Sequence, residues 1–413
     1  MSGPPLEDGA VVVREDGRIA AVGPFSEVRR DFLGEPVLDL GEQALLPGLI
    51  NAHCHLDYTS LRHAINPQRS FTAWIIRINA LKRQMTDEDY LAAIAEGFEE
   101  LRAWGTTTVC NLEAFPELLP KLPPPPIRTW WFLELIDIRS RVPSEALLEG
   151  ALGFFEEHEG WLGGFGLNPH APYTASPELF RLCRECGERF GMPLTTHIAE
   201  SAEEEAMFRR GEGEMFAFLQ GLGRRMEDCG TRSAFSQAVA NGLIGPGWLL
   251  AHANELDAED FSLLAATPGD WHVVHCPRSH AFFRHRPFPW RRLEEAGVTI
   301  SLGTDSLASN DSLSLFAELQ AAQKAIPDLT SETLVRTVTT HPARALRKSG
   351  ELGALLPGAH ADLIALPFAG TTPEVYDAII ANRSPIEWMM LDGKTLSPPL
   401  SSSRSPSFGA SRT

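Results

Sequence analysis

The 413 residues are 43% apolar and 22% charged, a composition of folded globular chains that excludes disordered, collagen-like and disulfide-scaffold classes. A formal charge of −18 argues against nucleic acid or an anionic membrane as main partner, because phosphate recognition needs clustered Lys and Arg. Residues 1–10 hold neither a basic nor an apolar leader and no run approaches a membrane span, so the expectation is a cytoplasmic protein acting on a small molecule, with self-association left open.

From residue 8 to residue 23, DGAVVVREDGRIAAVG alternates short β-rich runs with glycine turns and reads as a hairpin. Eight β-like runs then follow in order: ALLPGLINAHCH, TTTVCNLEA, RTWWFLELI, GFGLNPHAP, PLTTHIAE, WLLAHANEL, WHVVHCPRS and VTISLGTDS. Helical stretches separate them, which predicts parallel βαβ units, and eight such units over about 300 residues favour a closed (β/α)8 barrel over an open sheet. The proline-rich stretch 120–126 reads as a rigid loop into the third strand. Cys183 and Cys186, an isolated Cys-x-x-Cys pair, fall in the predicted helix 177–190 and read as helix surface and core. Beyond the barrel, GELGALLPGAHADLIAL and EWMMLDGKTL give short strands again. The predicted organisation is therefore 1–47 and 350–396 as two parts of one small β-sandwich, 48–349 as the barrel, and 397–413 as a disordered tail.

His53 and His55 end the first predicted strand, His170 the fourth, His197 the fifth, His252 the sixth, His275 the seventh and Asp305 the eighth. The carboxyl ends of barrel strands form one face, so these residues are expected to share one mouth. His53 and His55 point to the same side of their strand while Cys54 points to the other. A His-x-His pair alone is more often structural than metal-binding, but joined to His197 and Asp305 it forms a set of three nitrogens and one oxygen suited to a single divalent ion, zinc first and iron second. Glu200, three residues past His197, is placed to reach a metal-bound water, against the plainer reading of an exposed carboxylate opening the acidic helix AESAEEEAMF. His252 is read as a stabiliser of developing charge rather than a core histidine. Asp305 is left free of capping duty because Asn310 or Asp311 serves as cap for the helix predicted over 312–324. His341, before Pro342, reads as structural.

Taken together, LPGLINAHCHLDYT, NPHAPYT, THIAES, LLAHANEL, VVHCPRS, SLGTDSLASNDSL and GALLPGAHADLIAL resemble the cytosine deaminase and chlorohydrolase-like branch of the amidohydrolase superfamily. The resemblance implies one divalent metal on His53, His55, His197 and Asp305, Glu200 as proton shuttle, His252 polarising the water or leaving group, and His170 and Ser309 in contact with substrate. No lysine stands in GGFGLNPHAP, which disfavours a carboxylated-lysine binuclear centre. Two departures stand out: the strand that usually precedes DGAVVV is short or missing, and His280 stands where many relatives have Asn. HCPRSHAFF with HANEL and GTDSLAS is similar to aminodeoxyfutalosine deaminases. The function expected is hydrolytic deamination of an aminopurine, nucleoside or related N-heterocycle: water made acidic by the metal gives its proton to Asp305, Glu200 relays a proton to the ring, and His252 steadies the tetrahedral intermediate. Hydrolysis of another C–N or a C–Cl bond is the first alternative, and a non-catalytic barrel that only binds its ligand the second.

Overall fold

The computed structural model describes residues 3–138 and 142–396. β1 (Gly9–Val13) and β2 (Ile19–Pro24) form the expected antiparallel hairpin, and no strand precedes β1 among the described residues. β3 (Gln43–Pro47) runs directly into β4 (Leu49–His55) through Gly48. The glycine is required there, since a Cβ would lie 2.1 Å from the Thr107 hydroxyl as the chain leaves one sheet for the next.

The strands that follow are β5 (Thr106–Glu113), β6 (Arg128–Leu135), β7 (Gly163–Pro169), β8 (Leu194–Ile198), β9 (Trp248–His252), β10 (His272–His275), β11 (Thr299–Leu302) and β12 (Asp305–Ser306). With β4 they make one parallel sheet in which each strand lies beside its sequence neighbours. Its two edges, β11 and β12, are successive pieces of one chain segment, and β12 pairs with β4 at Asp305↔Cys54 and Ser306↔His55. The sheet therefore closes on itself, and the eight predicted runs are its eight staves. Two-sided burial explains their near-continuous apolar character: β4, β5, β8, β9 and β10 are buried at every position.

Helices cover the outside. Pro177–Phe190 is typical: Ser176 caps its amino end, Gly191 ends it with φ +67°, and Leu179, Phe180, Cys183, Cys186 and Gly187 face the core. Both cysteines are thus core residues. Between β5 and β6 the prolines permit only a 3₁₀ turn, Pro116–Lys121, and a loop, as expected of that stretch. One correction concerns the helix after β12. It spans Leu315–Ala325 and is capped by Ser314, not by Asn310 or Asp311; Asn310 instead accepts from Arg278 and donates to the Thr304 carbonyl and to Glu318. His341 Nδ1 donates to the Ile300 carbonyl at 2.8 Å, in keeping with a structural role.

β13 (Leu363–Pro367), β14 (Trp388–Leu391) and β15 (Lys394–Leu396) complete a four-stranded antiparallel sheet in which β3 lies beside β13. Its Leu45, Leu363, Trp388 and Met390 share an apolar cluster with Ile19, Val11, Val13 and Val22 of the hairpin. Between β13 and β14 the chain forms a helix, Val375–Ala381, that the strand-based reading of 350–396 did not anticipate; Gln320 of a barrel helix donates to its Ile380 carbonyl at 2.8 Å. The tail expected to be disordered, 397–413, lies outside the described residues. Among the described residues no helix is long and apolar enough to cross a membrane.

Candidate metal centre and active site

The carboxyl ends of the barrel strands bring His53, His55, His170, His197, His252 and Asp305 to one mouth. Alternation along β4 sends Cys54 into the outer core and both histidines inward. Asp305 reaches them because Gly303 lets the last stave press against β4: a Cβ at Gly303 would stand 2.7 Å from the His53 carbonyl oxygen and 2.8 Å from its nitrogen. Thr304 N–H then bonds the His53 carbonyl at 3.0 Å, and Asp305 takes φ +57°. His252, with φ +72°, is likewise held in a left-handed conformation that side-chain-bearing residues seldom adopt.

Asp305 Oδ1 lies 3.7 Å from His53 Nε2 and 3.8 Å from His55 Nε2. The His53 ring centroid is 5.0 Å from those of both His55 and His197, and 5.3 Å from that of His252. Donor atoms of His53, His55 and Asp305 fall within 4.8 Å of one another, as do those of His53, His197 and His252 and those of Glu134, His170 and His197. Neither ring nitrogen of the fully buried His53 has a hydrogen-bond partner, nor has His55 Nδ1 or His252 Nε2. Buried polar atoms are nearly always satisfied, so this concentration of orphans fits a cation as their missing partner. His197 is oriented by its Nδ1, 3.0 Å from the His170 carbonyl, which leaves Nε2 as a free lone pair.

The electrostatics suit the same purpose. Burial, reinforced by neighbouring imidazoles, pushes His55 well below its usual value and His197 down to about 3, so both rings are neutral and offer lone pairs. Burial also acts to raise Asp305, but the adjacent His53, His252 and His55 rings overcome it and hold the carboxyl well below the carboxylate range. Glu200, 6% exposed, goes the other way: burial first, then Asp305, Glu204 and Glu203, push it well above. It is not the exposed start of a helix; Ser201 caps Ala202–Arg210 and Glu200 stays outside, its Oε1 3.5 Å from His252 Nε2.

Other residues sort themselves by contact. His170 Nδ1 lies 2.5 Å from Thr174 Oγ1, with its ring 4.7 Å from that of His197. Ser309 donates to Asp305 Oδ2 at 3.1 Å and also lines a cavity of about 210 Å³ with His63, Arg278 and Phe282. His275 is not gathered with the rest: its ring stacks on Phe288 at 3.8 Å and meets His280 at 5.1 Å, forming a separate imidazole cluster with His285. Two contributors escaped the sequence reading. Ser279 in HCPRS donates to Asp305 Oδ2 at 2.6 Å, leaving Oδ1 toward the histidines. Glu134, near the end of β6 and 4.0 Å from His170 Nε2, was open to the same strand-end logic, as the one acidic residue in RTWWFLELI.

A closed parallel barrel whose mouth gathers neutral imidazoles and an ionised carboxylate defines a metal-dependent (β/α)8 enzyme. The sequence model of the Amidohydrolase family matches residues 44–396, and the chain belongs to that family. It is 33% identical over 378 residues to the 5-methylthioadenosine/S-adenosylhomocysteine deaminase of Syntrophobacter fumaroxidans, covering 88% of this chain and 81% of that one. Among solved structures it resembles Helicobacter pylori aminofutalosine deaminase in complex with methylthio-coformycin, with TM-score 0.82, 22% identity and 95% of each chain covered. It also resembles a zinc-bound adenosine deaminase from Xanthomonas campestris, with TM-score 0.79, 23% identity, and 96% and 90% of the two chains covered.

Proposed function

We propose that this protein is a hydrolytic deaminase of an aminopurine nucleoside, with one zinc ion on His53, His55, His197 and Asp305. The observation that carries the reading is a pair of carboxyls set at different places in one buried mouth, Asp305 Oδ1 3.7 Å from His53 Nε2 and Glu200 Oε1 3.5 Å from His252 Nε2; their surroundings push Asp305 below and Glu200 above the usual carboxylate range. His53, His55, His197 and Asp305 would hold a divalent cation, whose chemistry there would be to lower the pKa of the attacking water. Asp305 Oδ1 takes a proton from the attacking water, while its Oδ2 stays fixed by Ser279 and Ser309. Glu200 donates to the ring nitrogen adjoining the amino-bearing carbon; as the C–N bond breaks, the proton taken by Asp305 passes to the departing amino group, the hydroxyl proton of the tetrahedral centre returns to Glu200, and ammonia leaves. His252 hydrogen-bonds the oxygen of the tetrahedral centre, 3.5 Å from Glu200, so proton donor and stabiliser face the same carbon. His170 contacts the substrate, and Ser309 reaches it from the cavity wall.

The deaminase names of the relatives support the leaving group. The hairpin and four-stranded sheet, with their common apolar cluster, support reading 1–47 and 350–396 as one β-sandwich beside the barrel at 48–349. A cytoplasmic location suits a nucleoside substrate. The test is metal analysis of protein purified without chelator, with ammonia release measured from adenosine, 5'-methylthioadenosine, S-adenosylhomocysteine, guanine and cytosine. The expected result is near-stoichiometric zinc and ammonia from the adenosine derivatives. Less than about half an equivalent of metal, or release of chloride or a carboxylic acid from other substrates with no ammonia from any of these, overturns the reading.

A further inference from the structure

Glu200 is the proposed proton carrier, and the structure holds its backbone from both sides. The fully buried Glu204 turns back over the start of its own helix, and each carboxylate oxygen accepts one N–H: Oε1 from Ala199 at 3.1 Å and Oε2 from Glu200 at 2.8 Å. On the other side, Asn254 Nδ2 donates to the Glu200 carbonyl at 2.9 Å, while Glu255 N–H bonds the Ala199 carbonyl at 2.9 Å. Both turns held in this way are strained, with φ +48° at Ala199, +72° at His252 and +49° at Ala253. A first-turn glutamate ordinarily sits in solvent near the positive end of its helix. Here a carboxylate is desolvated completely, and its two backbone N–H groups are the compensation. Asn254 stands two residues from His252, so the same interlock ties the strand end bearing His252 to the turn bearing Glu200.

We propose that Glu204 and Asn254 are positioning residues that fix the separation between Glu200 and His252, a role resting on the deaminase reading of that pair. Glu204→Gln keeps the side chain's size but leaves one of the two N–H groups without an acceptor; Asn254→Ala removes the opposite anchor. In hydrogen–deuterium exchange, the amides of Ala199 and Glu200 are expected to exchange about tenfold faster in Glu204→Gln than in the wild type, with the remaining barrel strands unchanged. Turnover is expected to fall about 10- to 100-fold in both variants, with KM within about twofold and bound metal unchanged. Glu205→Gln, one residue along and paired with Arg209 instead, keeps wild-type turnover. Unchanged exchange at residues 199 and 200, or a loss of turnover that tracks equal losses of metal and folded protein in both variants, overturns the proposal. If the wild type releases no ammonia, it is the deaminase reading that fails, while the exchange experiment still decides whether the clamp exists.

Discussion

Buried imidazoles gathered around a carboxylate would be a destabilising group in an ordinary core, because His53, His55 and His252 carry ring nitrogens with no hydrogen-bond partner. In the proposed mechanism Asp305 matters most, since it would combine a ligand oxygen with the acceptor for the water proton. Asp305→Asn preserves the shape and the serine contacts but removes the charge, and should lower turnover by on the order of 10³-fold or more together with bound metal. Metal analysis and steady-state ammonia release check this; near-normal metal with near-normal turnover would show that the carboxylate takes no part. Glu200→Gln is the complementary case. It should leave metal content unchanged and lower turnover by about 10²- to 10⁴-fold, because what is lost is a transferable proton and not a ligand. Loss of metal from that variant would place Glu200 in the coordination sphere and refute the division of roles.

At the scale of elements, the site depends on how closely the last stave approaches the first. Gly303→Ala puts a methyl within 2.7 Å of the His53 carbonyl oxygen, where backbone and not a flexible side chain must yield. The expected cost is about 1–3 kcal/mol in stability, accompanied by weaker metal retention as Asp305 is pushed off register with Cys54. Thermal unfolding with and without added zinc tests it, and a variant as stable and metal-replete as the wild type would mean that the staves separate freely. The same elements show what the sequence made legible. The strand ends carrying His53, His55, His197, His252 and Asp305 could be read because period-two alternation and barrel topology direct such side chains toward one mouth. Ser279 could not, since its reach to Asp305 depends on the turn that starts the helix Pro277–Phe283. Nor could the cap at Ser314: Asn310 and Asp311 are equally good cappers by residue type, and only the contacts of Arg278 and Glu318 draw Asn310 away. His275 ends its strand as the others do, yet Phe288 captures its ring, a long-range packing event that leaves no local pattern. The helix Val375–Ala381 was hidden for a similar reason: seven residues carry too short a periodicity to separate from a loop.

Across the whole molecule, the catalytic mouth and the terminal sheets engage opposite ends of the barrel staves. Arg128 opens β6 at the amino end, buried, with Nε 2.9 Å from Asp362 Oδ2 and Nη2 3.2 Å from Asp362 Oδ1 and 3.1 Å from Asp392 Oδ1. Asp362 immediately precedes β13 and Asp392 lies in the turn between β14 and β15, so a single guanidinium joins the barrel to the C-terminal strands. Removing one member of a buried pair strands the other's charge, so Arg128→Ala should cost about 3–5 kcal/mol, read from the urea midpoint, whereas replacing Arg128 and Asp362 together by Met and Asn should recover much of that loss. Turnover of the folded variant should change by less than about twofold, because the disruption is at the end of β6 away from Glu134, His197 and Asp305. A midpoint shift worth under about 1 kcal/mol would mean that the pair is effectively screened. A large fall in turnover at full occupancy of the folded state would mean instead that the terminal sheet transmits its position to the mouth through the length of the barrel.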